Sequence, residues 1–393
     1  MNAHNDIKKC FFDVYKRFPI DVDRGEGAYL FGKDGSWYLD FLSGIAVNAL
    51  GYNHPAILSA LEKQMKRNLH LSNYFIQDIQ VELAARLIEL TPFSKVFFTN
   101  SGTEAIEGLL KVVKKWARQN NKKEIIAFEG SFHGRSLGAL SITIQEKYQS
   151  SFLPLLPDII TVPFNNAAAL EKAISSRTAA IFYEGITGEG GVRPVSDEMF
   201  TVMNKGRDTY GYLIIADEIQ TGVGRTGKFY HFEHTPLIPD AIATAKGLGG
   251  GLPLGAFMVL EHLSEIFVRG EHGTTYGGNP LACAAGLATV NTVADKQFLN
   301  NVEQRGYYFK SQLQHIVDDF KDQVVDVRGM GLMLGMELKN PAQSVMDEAF
   351  KQGLIINIAG GNTLRFVPPL IVDEILIDEA CNKLHKTLKI LFL

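Results

Sequence analysis

The chain has 393 residues, 46% apolar and 21% charged, with a net charge of −4. That balance supplies a sizeable core for one large α/β unit or two domains, and the absence of any lysine–arginine block argues against nucleic acid as a partner. Three scattered cysteines, Cys10, Cys283 and Cys381, have no metal-type spacing; no signal-type apolar core precedes them, and no uncharged apolar run approaches the ~18 residues of a membrane span. The expected location is therefore the cytoplasm, with no membrane contact and no metal.

Residues 1–45 have strand and turn character, and GAYLFGKDGSWYLD reads as a hairpin around Asp34-Gly35. Short β-branched or aromatic runs follow: KVFFT (95–99), EIIAF (124–128), DIITV (158–162), AAIFYE (179–184), YLIIAD (212–217) and AIAT (241–244). Helix-period segments such as Glu104 to Arg118 and Ser196 to Tyr210 lie between several of them. Nearly continuous apolar strands alternating with helices predict an α/β fold with a mostly parallel sheet covered on both faces. Beyond Pro280 come long helical segments, then VVDVRG, LMLGMEL, LIINI and TLRFVP as a small sheet, then a helix from Asp373. The expected units are an N-terminal segment over 1–45 that packs with either domain, a large domain over 46–280 and a small α+β domain over 281–393.

Ligands of such sheets sit beyond the carboxyl ends of the strands, and four features fall there. In FFTNSGTEAIEGLLKVVKKWAR, Asn100 or Ser101 caps a helix whose first turn holds Gly102 and Thr103. Free amides and the positive end of the dipole suit a phosphate. In EGSFHGRS, Phe132 or His133 can stack on a flat ring, and Arg135 can grip a carboxylate with both prongs. Asp217 ends an uncharged strand, where a carboxylate needs a cationic partner. Lys246 precedes the run GLGGG and is a candidate for a Schiff base; the glycines would let backbone pass close to a flat ligand. Each feature alone has an ordinary alternative: a capped helix, a surface arginine, a capping acid, a solvated lysine. Together they describe pyridoxal 5′-phosphate, a phosphorylated pyridine aldehyde whose ring nitrogen needs an acid and whose aldehyde needs an amine.

The segments NSGTEA, FHGR, DEIQTGVGRTG, AKGLGGGLPLGA and HGTTYGGNPLACAA, in that order, resemble the class III, ornithine-type, pyridoxal-phosphate-dependent aminotransferases of fold type I. RGEGAYLF, YLDFLSGIAVNALGYNHP and LRFVPPL bring the resemblance nearest to the acetylornithine aminotransferases. The resemblance implies that Lys246 holds the cofactor and moves the proton, and that Asp217 meets the ring nitrogen. Gln220 would bond the ring hydroxyl, Phe132 would stack on the ring beside His133, and Ser101, Gly102 and Thr103 would hold the phosphate through amides and hydroxyl. Thr275 would reach the phosphate of a partner subunit, which implies a homodimer, with Thr274 beside the substrate.

On the substrate side the resemblance implies that Arg135 grips a distal carboxylate and Arg365 the carboxylate next to the keto group of 2-oxoglutarate. Glu189 would mask Arg365 while the amino donor is bound. Ile45 stands where ornithine enzymes commonly have tyrosine, which favours N-acetylornithine over ornithine, and Tyr15 would help hold the donor. Ornithine or 4-aminobutyrate aminotransferases, or an aminomutase, are the alternatives. The chain departs from the usual pattern at Gly185 (commonly proline), Thr187 (commonly glutamine) and Ile144 (often glycine), which leaves loop geometry open.

Overall fold

The computed structural model describes residues 9–393, built on three sheets. The N-terminal hairpin forms as expected. Strands β1 (Val22–Glu26), β2 (Tyr29–Gly32) and β3 (Trp37–Asp40) are antiparallel. The Asp34 side chain closes the tight turn by accepting from the amide and hydroxyl of Ser36 at 3.0 and 2.6 Å.

The central sheet holds β4 (Lys95–Thr99), β5 (Glu124–Phe128), β6 (Ile159–Val162), β7 (Thr178–Glu184), β8 (Leu213–Asp217), β9 (Ala241–Thr244) and β10 (Gly255–Val259). Their order is β4-β10-β9-β8-β7-β5-β6. Only β10 runs against the rest, antiparallel to both β4 and β9. The sequence reading assigned no strand there. A five-residue run that begins Gly-Ala behind a glycine-rich turn has little β-propensity of its own, and β10 exists because it is buried along its whole length between two strands. Helices cover the sheet. Gly102–Gln119 lays Ile106, Leu109 and Val113, all fully buried, against it. Truncating one such side chain to alanine costs about 2–5 kcal/mol.

Beyond the long helices Pro280–Val293 and Lys296–Asp319 come β11 (Val324–Met330), β12 (Met333–Leu338), β13 (Leu354–Ile355), β14 (Asn357–Ala359) and β15 (Thr363–Phe366). An antiparallel sheet forms in the order β11-β12-β15-β14. The segment LIINI does not enter it whole: β13 leaves to pair in parallel with β3, Leu354 opposite Leu39, and only β14 joins the small sheet. The N-terminal hairpin is thus completed by the C-terminal third of the chain. Tyr38 stacks on Phe350 at 4.6 Å and Tyr29 donates to Glu379 at 2.7 Å. The helix Glu374–Phe392 closes the chain, with Asp373 as its N-cap. Among the described residues no helix is long and apolar enough to cross a membrane.

Candidate active site

A cavity of about 460 Å³ opens at the carboxyl ends of the central strands. Lys246, Asp217, Gln220, Phe132, His133, Arg135, Ser101, Gly102, Thr103 and Glu189 all line it, although they come from five separate stretches of chain.

The acid side is built by β7 and β8. Glu184 and Asp217 end these strands in register with each other, and both are buried. Asp217 accepts from Ile219 N at 3.0 Å and meets His133 Nδ1 at 2.7 Å. The His133 ring is wholly buried and turned to this carboxylate. Burial opposes a charge on it, yet the hydrogen bond and charge of Asp217 carry its pKa above the ordinary value. Glu184 accepts from the amides of Phe132 and Gly188 at 3.0 and 2.9 Å, and burial pushes its carboxyl up. The sequence reading did not select Glu184, although an acid ends AAIFYE just as one ends YLIIAD.

Lys246 follows β9 with a φ of 44°, a left-handed conformation that a long side chain adopts only where its surroundings impose it. Its side chain is half-buried on the cavity wall. Burial first, and the Arg365 guanidinium second, bring its pKa down to about 8, against the pull of Glu189, Asp217 and Glu184. The glycines behind it serve the turn more than the cavity. Only Gly251 among them is on the lining; Gly250 takes a φ of 56°, and a Cβ there would lie 2.7 Å from Ile57 Cδ1.

At the helix N-terminus, Ser101 caps Gly102–Gln119 and accepts from Glu104 N at 3.4 Å. The first-turn amides of a helix lack intrahelical acceptors. The Thr103 hydroxyl is engaged elsewhere. Ser136 Oγ donates to Glu107 at 2.6 Å, so Thr103 Oγ1, 2.7 Å away, donates to Ser136. An anion here would meet the Thr103 amide rather than its hydroxyl. Ile219 packs over Gly102, where a Cβ would lie 2.7 Å from its Cδ1.

Arg365 does not line the cavity. It is fully buried behind Glu189 and Gln220, which do. Its Nη1 donates to Glu189 Oε1 at 2.6 Å and to Gln220 Oε1 at 3.2 Å, and its Nε to Asn357 Oδ1 at 3.1 Å. Its Nη2 is buried and has no hydrogen-bond partner among the described residues. Burial works against the charge on Glu189, but Arg365 and then Lys246 hold its carboxyl below the usual range. Arg135 is exposed, with its guanidinium 3.8 Å from the centre of the Tyr148 ring and 5.3 Å from that of Phe132.

Besides Arg365, four expected residues lie off this cavity. Thr274 and Thr275 line a second one of about 730 Å³, although Asn100 Nδ2 reaches Thr274 Oγ1 at 3.4 Å. Tyr15 is largely exposed, beside Arg17. Ile45 sits in a left-handed turn, Ser43 to Ala46 all having φ between 47° and 66°; such a conformation costs roughly 1–2 kcal/mol for each residue other than glycine, and Val47 behind it reaches the lining instead. The departures at 185 and 187 have structural counterparts. The His231 ring occupies the space of any side chain at 185. Thr187 closes the loop base, its Oγ1 accepting from Arg193 N at 3.0 Å.

The residues fit pyridoxal 5′-phosphate. Helix amides suit the phosphate, a buried acid braced by His133 suits a protonated ring nitrogen, Phe132 and Ile219 offer apolar contact, and Lys246 is an amine of lowered pKa.

The aminotransferase class-III family model matches residues 12–388. The acetylornithine aminotransferase of Clostridium acetobutylicum is 42% identical, over 97% of this chain and 100% of its own length. That of Aquifex aeolicus is also 42% identical, over 95% and 98%. Among solved structures, the ornithine aminotransferase of Toxoplasma gondii superposes with a TM-score of 0.94 at 26% identity, covering 99% of this chain and 94% of that one. The N-acetylornithine aminotransferase of Stenotrophomonas maltophilia gives 0.84 at 32% identity, covering 96% and 97%. Similarity of this extent, from the N-terminal hairpin to the last helix, makes the chain a member of the class III aminotransferases, enzymes that depend on pyridoxal 5′-phosphate.

Proposed function

We propose that the protein transfers the terminal amino group of N-acetylornithine to 2-oxoglutarate, giving N-acetylglutamate 5-semialdehyde and glutamate, as a step of arginine synthesis in the cytoplasm. The observation that carries this reading is the cover of Glu189 over Arg365. One cavity must accept a donor whose reacting nitrogen is far from its carboxylate, and an acceptor whose reacting carbon is next to one. With Glu189 in place, the Arg365 charge is neutralised and the cavity suits the donor, gripped at its carboxylate by Arg135. When Glu189 turns away, Arg365 offers Nη1 and the unpartnered Nη2 to the acceptor's second carboxylate. A buried arginine left unpaired is costly, so one carboxylate or the other occupies it.

Bound pyridoxal phosphate supplies the aldehyde that takes up the amino group and the ring that spreads the electron pair left on carbon. The chain does the rest. Gly102 and Thr103 amides anchor the phosphate, and Asp217, held by His133, keeps a proton on the ring nitrogen. Phe132 and Ile219 enclose the ring and exclude water. Lys246, as a free amine, would take the proton from the donor carbon that bears the reacting nitrogen, which its lowered pKa permits near neutrality. Gln220 adjoins Arg365 and completes the polar wall. The chain divides at about residues 45 and 280, and we assign the active form as a homodimer in which Thr275, with Thr274, completes the partner's site.

Fold similarity alone does not choose the donor, since ornithine and N-acetylornithine enzymes both superpose over nearly the whole chain. The 42% identical relatives favour the acetylated one. Steady-state kinetics with N-acetylornithine, ornithine and 4-aminobutyrate against 2-oxoglutarate test the reading. The expected order of kcat/KM puts N-acetylornithine first, and a preference for free ornithine overturns it.

A further inference from the structure

The two ends of the Glu189 loop are not held alike. Its stem is a narrow hairpin, Thr187 N donating to Arg193 O at 2.9 Å and Val195 N to Gly185 O at 3.0 Å. Its tip lies on the small sheet, whose register explains why. Arg328 on β11 is opposite Gly335 on β12, Gly335 is opposite Arg365 on β15, and Arg365 is opposite Asn357 on β14. Residues opposite one another share a face. Arg328 and Arg365 therefore rise from the same face, about 10 Å apart at two strand spacings, with a glycine between them. That gap receives the loop: a Cβ on Gly335 would lie 2.9 Å from Val192 Cβ.

The two arginines hold different parts of the loop. Arg365 holds the Glu189 side chain. Arg328 holds the backbone two residues on, its Nε and Nη2 both donating to Gly191 O at 3.0 and 2.8 Å. Its Nη2 also reaches Thr363 Oγ1 at 3.0 Å, and its Nη1 is paired with Glu337 and Asp326. From the facing turn, Gly360 N donates to Glu189 O at 2.9 Å. A partly exposed pair such as Arg328–Glu337 contributes little by itself. The fork on a single carbonyl is directional, and a lysine cannot reproduce it.

We propose that Arg328 is a positioning residue of the carboxylate switch. It fixes the backbone of residues 189–191 to the sheet that carries Arg365, so that exchanging the two substrates requires only rotation of the Glu189 side chain. Arg328 touches neither substrate nor cofactor. Without its fork the loop tip lifts, Glu189 leaves Arg365 more often, and the unmasked charge disfavours the donor while the acceptor still binds.

This inference rests on the Glu189–Arg365 reading above, so the test includes both. In the holoenzyme, the donor and 2-oxoglutarate half-reactions are followed separately by single-turnover absorbance in the parent, Arg328→Lys, Arg328→Met, Thr363→Val and Glu189→Ala. Binding of glutarate, a dicarboxylate with no keto group, is followed by calorimetry. For Arg328→Lys the donor half-reaction should require about tenfold more N-acetylornithine for half-saturation, as expected for losing a hydrogen bond from a charged group. The concentrations of 2-oxoglutarate and glutarate needed should stay level or fall. Arg328→Met should match Arg328→Lys, showing that charge alone does not rescue, and Thr363→Val should move the same way by less. Equal losses in both half-reactions, weaker glutarate binding, or full function in Arg328→Lys overturns the inference. If Glu189→Ala leaves the balance between the two substrates unchanged, the switch itself fails; if Glu189→Ala shifts it and Arg328→Lys does not, only the role of Arg328 fails.

Discussion

Glu184 and Asp217 stand opposite each other at the ends of two adjacent parallel strands, both buried. Two carboxylates so placed repel each other and lack water, and the structure compensates each differently. Glu184 takes two backbone amides, whereas Asp217 takes one amide and the His133 ring. A protonated pyridine nitrogen at Asp217 would add the cation that such a pair calls for. Its contribution would be greatest where negative charge builds on such a ring. Asp217→Ala should therefore lower kcat by about a hundredfold or more while changing half-saturation by the donor only a few-fold. Steady-state kinetics check this, and a near-normal kcat contradicts the role.

Lys246 gives a pH signature. Only the uncharged amine condenses with an aldehyde, and burial with Arg365 brings its pKa to about 8, well below the roughly 10.4 of a free lysine. The rate at which apoprotein captures pyridoxal phosphate should rise with pH and level off a little above 8, as followed by stopped-flow absorbance. Arg365→Met removes a positive neighbour and should move the midpoint upward. A rate still climbing at pH 10 in the parent would show a solvated lysine.

The parts legible in the sequence were those with a local signal. Uncharged β-branched runs marked most of the central strands, and an acid or lysine just past such a run marked Asp217 and Lys246. The same rule applies to Glu184, which was legible and passed over. β10 carries no signal of its own because burial between neighbours makes it a strand. The run LIINI is apolar except for Asn357, and such a run does not tell which sheet takes each part; Ile356 is the fully buried turning point between them. Tyr148 and Arg328 act through contacts that sequence spacing does not reveal. Thr274 and Thr275 were named only through their motif, and the structure places them at a different cavity.

Arg135 is held by an aromatic neighbour that the motif does not contain. The Tyr148 ring lies under the guanidinium at 3.8 Å and edge-on to Phe132 at 5.9 Å. A cation over a ring contributes about 0.5–2 kcal/mol, and here it also limits where an exposed side chain points. Tyr148→Leu should raise half-saturating concentrations of N-acetylornithine by about three- to tenfold with little change in kcat, and Tyr148→Phe should be close to the parent. Kinetics of the two variants side by side separate the ring from the hydroxyl; a large loss in Tyr148→Phe contradicts this role.

Gly185 and His231 form a mutually dependent pair. Any Cβ at 185 would collide with the His231 ring, so Gly185→Ala should cost about 1–3 kcal/mol by overpacking. His231→Ala opens the space, and the double variant should lose less stability than the sum of the two single losses. The ring also gives an acid signature. Burial, aided by His234, lowers the pKa of His231 to about 3, while the unfolded chain titrates near 6.5. Below that pH the unfolded state binds a proton that the folded state refuses. The stability linked to His231 is therefore complete above pH ~6.5 and is lost progressively as pH falls toward 3. Melting temperatures of the parent should fall across that window, and those of His231→Ala should fall less steeply. Parallel melting curves in the two proteins, or additive losses in the double variant, would mean that His231 neither fills the Gly185 space nor resists protonation.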